Sequence, residues 1–424
     1  MNDVVAPPLT RTEIIRVRGL VQGVGFRPTV WRLARRYGLR GTVANDGDGV
    51  VIQASGASAA LDDFAQALRA EPPPLARIDE IVRRHSDLVI AAPDFRIIAS
   101  AVTLVSTDVA PDAATCSACL GEIFDPLSRR YRYPFTNCTH CGPRLSIVNA
   151  IPYDRARTTL ASFPLCPACR AEYQTPQDRR FHAEANACYV CGPKAWLQRA
   201  DGKAMVVEAY TMMDDVDAAC TLLQRGHIVA IKGLGGFQLA CDATQEVAVA
   251  RLRELKRRRG KPFALMARDV DVIRRYAAVN EQEWALLSSS AAPIVLLNAG
   301  GERLPDAVAP GVHTLGFMLP NTALHHLMLK RMARPIVLTS GNLSDEPQCI
   351  GNGDALARLG GIAEFFLMHN RDIACRVDDS VVTIVASETR ILRRARGYAP
   401  APLQLPGFEK LGFEKSPAVL ALGG

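Results

Sequence analysis

No run of about 18 uninterrupted apolar residues occurs in the 424-residue sequence, so no membrane-spanning helix is expected. The start, MNDVVAPPLTRTE, lacks the basic and apolar stretches of a signal peptide. Together these absences predict a cytoplasmic protein with no membrane partner. Lysine is scarce, 8 of the 50 Lys and Arg residues, so the places where Lys clusters are more informative than the net charge of +7. That excess suits a phosphate-bearing ligand as well as nucleic acid and chooses neither. Disorder throughout is excluded, because 48% hydrophobic and 22% charged residues can build a core in each of about three domains.

Cysteine, by contrast, is plentiful. Twelve Cys in a cytoplasmic chain argue for metal or thiol chemistry rather than a disulfide framework. Eight of them form four CxxC pairs: Cys116 with Cys119, Cys138 with Cys141, Cys166 with Cys169, and Cys188 with Cys191. Each half of this set matches the four-thiolate zinc pattern. The halves repeat with a period of 50, Arg129 and Arg130 matching Arg179 and Arg180, and CGP follows the second pair of each half. Two structural zinc ions are predicted, since a closed four-thiolate site has no position for a substrate. The repeat favours each half closing its own site, while a nested pairing, first pair with fourth and second with third, stays open. His140 and His182 are not needed as ligands, and Cys220, Cys241, Cys349 and Cys375 read as buried small hydrophobes.

Residues 11–100 read as a small α/β unit: strand IIRVRG, a Gly-rich loop, a helix through PTVWRLARRYG with Pro28 in its first turn, a hairpin about DGDG, a helix over 59–69, and strands near 78–84 and 94–99. The order βαββαβ predicts a ferredoxin-like sandwich. Over 108–200 the hydrophobic periodicity fades and Cys, Pro and Arg dominate, so metal is expected to organise an irregular domain. Over 205–400 apolar runs such as IVAIKG, PIVLLNAG and PIVLTSGN alternate with helical segments around 214–225, 244–258 and 321–333, predicting a larger twisted α/β domain. Residues 401–424, from within the Pro-rich YAPAPLQLP (398–406) to SPAVLALGG, are expected to be a linker and the first strand of a further domain.

Several strings carry chemistry. In GLVQGVGFR, Gly19, Gly23 and Gly25 permit turns whose N–H groups converge at a helix start, and Arg27 adds a fork matched to phosphate. VQGVGFR resembles the active-site signature of acylphosphatases. That resemblance implies a phosphoryl-binding loop of Val21, Gln22, Gly23, Val24, Gly25 and Phe26, an Arg27 clamp, and an Asn45 that orients the attacking water. Second, IKGLGGFQLACDA places Lys232 after a strand, and RELKRRRGKPFALM gathers Lys256, Arg258 and Lys261. Third, TSGNLSDEP sets Ser340 and Asn342 at a strand end, where α/β sheets bind ligands. With HNRDIACRVDDSV, which holds His369 and Arg371, these strings look like the YrdC nucleotide-binding family. They imply a site for ATP and a carbamate-derived group: cations face the triphosphate, hydroxyl and amide the carbamate. Mg²⁺ is expected with ATP, with no protein ligand named for it.

Acylphosphatase, double four-cysteine and YrdC-like modules in this order resemble the HypF carbamoyltransferases of [NiFe]-hydrogenase maturation. The resemblance implies cleavage of carbamoyl phosphate at the first site, passage of carbamate inward, and its conversion by ATP to carbamoyl adenylate with release of pyrophosphate. Transfer to the C-terminal Cys of the protein HypE would follow, through a further actin-like ATPase-type domain. No nucleic-acid partner is expected. Two readings compete. The YrdC-like strings alone would also suit a threonylcarbamoyl-adenylate synthase of tRNA modification, but that chemistry needs no phosphate-cleaving front end. A zinc-based nucleic-acid adaptor is suggested by the interleaved RRYRYPF.

Overall fold

The structure, a computed structural model, describes residues 10–403 apart from 102, 103, 105, 106, 204 and 212. From residue 404 onward, the tail expected to begin a further domain lies outside the described residues.

The first unit comprises β1 (Thr10–Leu20), α1 (Phe26–Arg36), β2 (Arg40–Asp46), β3 (Gly49–Ala57), α2 (Ser58–Ala70), β4 (Arg77–Ser86) and β5 (Phe95–Ile97). Strand β1 alternates, sending Ile15 and Val17 into the core. The sheet order is β4-β1-β3-β2-β5, so the ferredoxin-like sandwich is present, with β5 added parallel to β2 at the edge. Helix α1 begins at Phe26, which puts Pro28 in its first turn as expected, and Gly25, in a left-handed conformation (φ 80°), is its N-cap residue.

The cysteine-rich segment holds two short helices, α3 (Ser117–Phe124) and α4 (Pro167–Gln174), each starting immediately after the first Cys of its half. Its own apolar clusters are small: Tyr133, Phe135 and Ala187 in one, Ile147, Leu160 and Ala185 in another. It is fastened to both neighbours. Ile123 joins the core of the large domain, and Arg132 donates through Nε and Nη2 to Asp214 at 2.6 and 2.8 Å.

The large domain comprises β6 (Ala195–Arg199), α5 (Asp215–Gln224), β7 (Val229–Lys232), β8 (Phe237–Asp242), α6 (Glu246–Leu255), β9 (Ala264–Met266), α7 (Val270–Arg274), α8 (Glu281–Leu287), β10 (Ile294–Asn298), β11 (Thr314–Met318), α9 (Ala323–Leu329), β12 (Ile336–Ser340), α10 (Asn352–Leu359), β13 (Phe365–His369), β14 (Val381–Val385) and β15 (Glu388–Arg393). They form one ten-stranded mixed sheet, order β15-β14-β10-β11-β9-β12-β8-β7-β13-β6. Strands β7 and β8 are buried along their whole length, the polar Lys232, Gln238 and Asp242 included, as strands covered on both faces are. One face is covered by α5, α9 and the borrowed α3, the other by α6, α7, α8 and α10. Strand β6, inside the range expected to be cysteine-rich, pairs with β13 and belongs to this sheet.

Candidate functional site

The eight CxxC cysteines gather as two sets, Cys116, Cys119, Cys138 and Cys141, and Cys166, Cys169, Cys188 and Cys191, with all sulfurs of a set within 4.8 Å of one another. The halves therefore close separately, and the nested pairing is ruled out. A four-thiolate zinc site with bonds of about 2.3 Å needs sulfurs about 3.8 Å apart; Cys116–Cys138, Cys138–Cys141 and Cys119–Cys141 stand at 3.7, 3.9 and 3.5 Å. The thiolates fit the metal. Their outer partners are exchanged between the repeats. Arg179 donates to Cys119 Sγ at 3.1 Å and Arg129 to Cys169 Sγ at 3.3 Å, while Arg180 pairs with Glu122 and Arg130 with Glu172. Each half thus neutralises part of the other's thiolate charge.

The Gly-rich loop sits between β1 and α1, outside any helix or strand pairing. Val21, Val24 and Phe26 anchor it in the core. The Gln22 amide donates to the carbonyls of Asp46 and Gly49 at 2.7 and 2.9 Å, tying the loop to the β2–β3 hairpin. Gly23, Gly25, Arg27 and Asn45 then line a common cavity of about 20 Å³, space for about one water. Asn45 is buried; its Nδ2 donates to the Tyr153 carbonyl at 3.5 Å and its Oδ1 has no partner among the described residues. A cavity water would find an acceptor there.

The roof of this cavity comes from the cysteine-rich segment, which sequence reasoning missed. Arg144 Nε donates to the Gly23 carbonyl, and Tyr153 N–H donates to Gln22 Oε1 at 2.9 Å. His182 and Glu184 also line it. Burial, chiefly, with help from Arg27, lowers the His182 imidazole to about 4, so it is neutral at pH 7. The only signal in the sequence was that His182 served no cluster.

The eight residues expected to bind ATP and carbamate separate into two groups. Arg258 and Ser340 line a cleft of about 360 Å³ with Phe263, Gln348, Asp379 and Arg393. Lys256 lies behind it: its Nζ donates to the Ser340 carbonyl at 2.6 Å and to Asn342 O and Oδ1 at 2.6 and 3.1 Å. The KxR string (Lys256 and Arg258) and the SxN string (Ser340 and Asn342) therefore meet, although Lys256 and Ser340 are 84 positions apart. Burial foremost, with Arg258 adding to it, lowers the Lys256 ammonium to about 8. Lys261 does not line the cleft; its carbonyl accepts from Arg258 Nε at 3.1 Å.

Lys232, His369 and Arg371 instead line a cavity of about 30 Å³ at the border with the cysteine-rich segment, together with Phe135, Asn137 and Asn321. Lys232 Nζ donates to the His369 carbonyl at 3.1 Å. Burial pulls Lys232 down to about 8 and Arg371 to about 10. Arg371 Nε and Asn321 Nδ2 are buried donors, and Asn137 Oδ1 a buried acceptor, without partners among the described residues, so the cavity offers both donors and an acceptor to a polar guest. The turn Thr136–Arg144 separates the two small cavities: Thr139 and Arg144 face the first, Asn137 and Gly142 the second.

Three family models match the chain: one described as acylphosphatase over residues 13–97, one as the HypF finger over 115–148 and 165–198, and one as telomere recombination (Sua5, YciO and YrdC) over 221–395. A carbamoyltransferase HypF of Rhodobacter capsulatus is 52% identical over 97% of this chain and 53% of its own length. One from Synechocystis is 50% identical over 94% of this chain and 51% of its own. A crystal structure of full-length HypF in the phosphate- and nucleotide-bound form aligns with a TM-score of 0.90 at 45% identity, over 95% of this chain and 52% of that one. The chain spans about half the length of the curated relatives it matches.

Proposed function

The chain belongs to the family of HypF carbamoyltransferases over the part of those proteins that it spans, and on that premise we propose that it converts carbamoyl phosphate and ATP to carbamoyl adenylate. The observation that supports this most is the pair of small cavities on either side of one cysteine turn, together with a larger cleft lined by Arg258 of KxR and Ser340 of SxN. The solved relative, by its description, holds both phosphate and a nucleotide.

In the first cavity the loop and Arg27 hold the phosphoryl group, and Asn45 orients water through its unpaired Oδ1. Water attacks phosphorus and the bond from phosphorus to the acyl oxygen breaks. Carbamate leaves with the electron pair, and both water hydrogens remain on the phosphate. Carbamate then passes the Thr136–Arg144 turn, which lines both small cavities, to the donors of Lys232, Arg371 and Asn321. Carbamate moves on from there to the large cleft, where one of its oxygens attacks the α-phosphorus of ATP and pyrophosphate leaves with the bond's electrons. Arg258 and Lys256 supply the positive field, and Mg²⁺ accompanies the nucleotide. Zinc at each four-cysteine set supplies folding energy rather than chemistry. Delivery of the carbamoyl group to HypE is the onward step proposed for the longer proteins of the family.

The testing experiment is orthophosphate release from carbamoyl phosphate without ATP, followed by pyrophosphate release from ATP with either carbamoyl phosphate or threonine plus bicarbonate. Release driven by carbamoyl phosphate supports the reading; release driven by threonine replaces it with threonylcarbamoyl chemistry.

Lys256 gives this step a pH signature. Its ammonium is charged below about 8 and loses its proton as pH rises through that value. The kcat/KM for ATP is expected to be level below about pH 8 and to fall above it, and Lys256→Arg should remove Lys256's share of that limb because a guanidinium stays protonated, leaving the share of Lys232, which loses its proton over the same range.

A further inference from the structure

Arg27 is the residue expected to clamp the phosphoryl group, yet its guanidinium is gripped by carboxylates from the cysteine-rich segment. Its Nη1 donates to Asp154 Oδ1 at 3.0 Å and its Nη2 to Glu184 Oε1 at 2.7 Å. Burial alone would lower the guanidinium's proton affinity, but Glu184 and Asp154 reverse this and keep it charged.

Glu184 is not a casual surface partner. Its side chain is 3% exposed, and a carboxylate stays buried only when well paired. Tyr173 Oη donates to its two oxygens at 3.1 Å each, and Arg155 N–H donates to Oε2 at 3.1 Å. Arg155 in turn fastens this stretch through the carbonyls of Glu184, Asn186 and Phe163. Phe181 packs edge-on against Trp31 of α1, ring centroids 5.5 Å apart. The same stretch that carries Glu184 is therefore pinned to the helix that carries Arg27.

Two opposed consequences follow for a phosphate guest. A guanidinium held in place before binding does not have to be ordered when the substrate arrives, which favours the reacting geometry. Two neighbouring carboxylates also weaken the positive field, which lowers affinity for a dianion. Orientation is gained and ground-state binding is lost.

We propose that Glu184, with Asp154, is a positioning residue of the first site: it holds the Arg27 guanidinium at the mouth of the Val21–Phe26 loop and makes the cysteine-rich segment a working part of the acyl phosphate site. This rests on the reading of that loop as the phosphoryl site.

The test uses the full chain with Glu184→Gln, Asp154→Asn and Arg27→Ala, measuring orthophosphate release from carbamoyl phosphate and inhibition by inorganic phosphate. Both carboxamide variants should show kcat lowered on the order of tenfold together with a lower KM and tighter phosphate inhibition. Asp154, more exposed than Glu184 at 28% against 3%, is the variant least able to disturb the fold. Unchanged kcat in both variants, or a KM that rises, overturns the proposal. If Arg27→Ala abolishes release while both carboxamide variants match the parent, this proposal alone fails; if Arg27→Ala retains the parent's rate, the loop is not the phosphoryl site.

Discussion

Arg27→Ala is expected to lower carbamoyl phosphate hydrolysis by on the order of 10²–10³-fold, the range for losing one preorganised charge-stabilising group. The same change should destabilise the protein, because Glu184 is left buried without its cation; breaking such a pair costs about 3–5 kcal/mol. The two effects separate in a double variant. Arg27→Ala with Glu184→Gln removes the stranded charge, so thermal stability should recover toward the parent while hydrolysis stays low. Parent-like hydrolysis in either variant would show that Arg27 does not act on the phosphoryl group. Arg27→Lys should rescue little activity, since an ammonium cannot reproduce the fork.

Stripping metal with a strong chelator is expected to release two zinc ions per chain and to unfold the cysteine-rich segment. Structural zinc contributes about 10–16 kcal/mol in finger peptides, more than two three-residue apolar clusters can replace. The exchanged arginines sharpen this expectation. Because Arg179 donates to Cys119 and Arg129 to Cys169, collapse of one half withdraws the outer partners of the other. Cys119→Ser should therefore bring zinc content well below one per chain, and carbamoyl phosphate hydrolysis should fall with it, since Arg144, Tyr153 and Glu184 roof the first cavity. One zinc retained firmly in Cys119→Ser would mean that the halves are independent.

The parts legible in the sequence are those where a local rule forces a residue type. Thiolate pairs at CxxC spacing, glycines before a helix start, and KxR with SxN each announce themselves within a few positions. The ferredoxin-like unit was legible too, because alternation in β1 and the turn at DGDG are local. The roof of the first cavity was not. Asp154 and Glu184 are ordinary acidic residues 127 and 157 positions from Arg27, and only the folded metal segment brings them to it. Likewise, nothing in their spacing separates Lys232, His369 and Arg371 from Lys256 and Arg258; the order of the ten strands does so. The string RRARGYAP, residues 393–400, also shows its role only in the fold: its buried Arg396 donates to Asp379 at 2.7 Å and to the carbonyls of Ala291 and Ala292. That role is to tie the β15 end of the sheet to the loop before β10.

The most direct measurement is pyrophosphate release from ATP by the purified chain, with and without carbamoyl phosphate, repeated for Arg27→Ala and Ser340→Ala. Two coupled sites require release that depends on carbamoyl phosphate and is lost in both variants, although Arg27 and Ser340 line separate cavities. Pyrophosphate release that needs no carbamoyl phosphate, or that survives Arg27→Ala, would contradict the coupling.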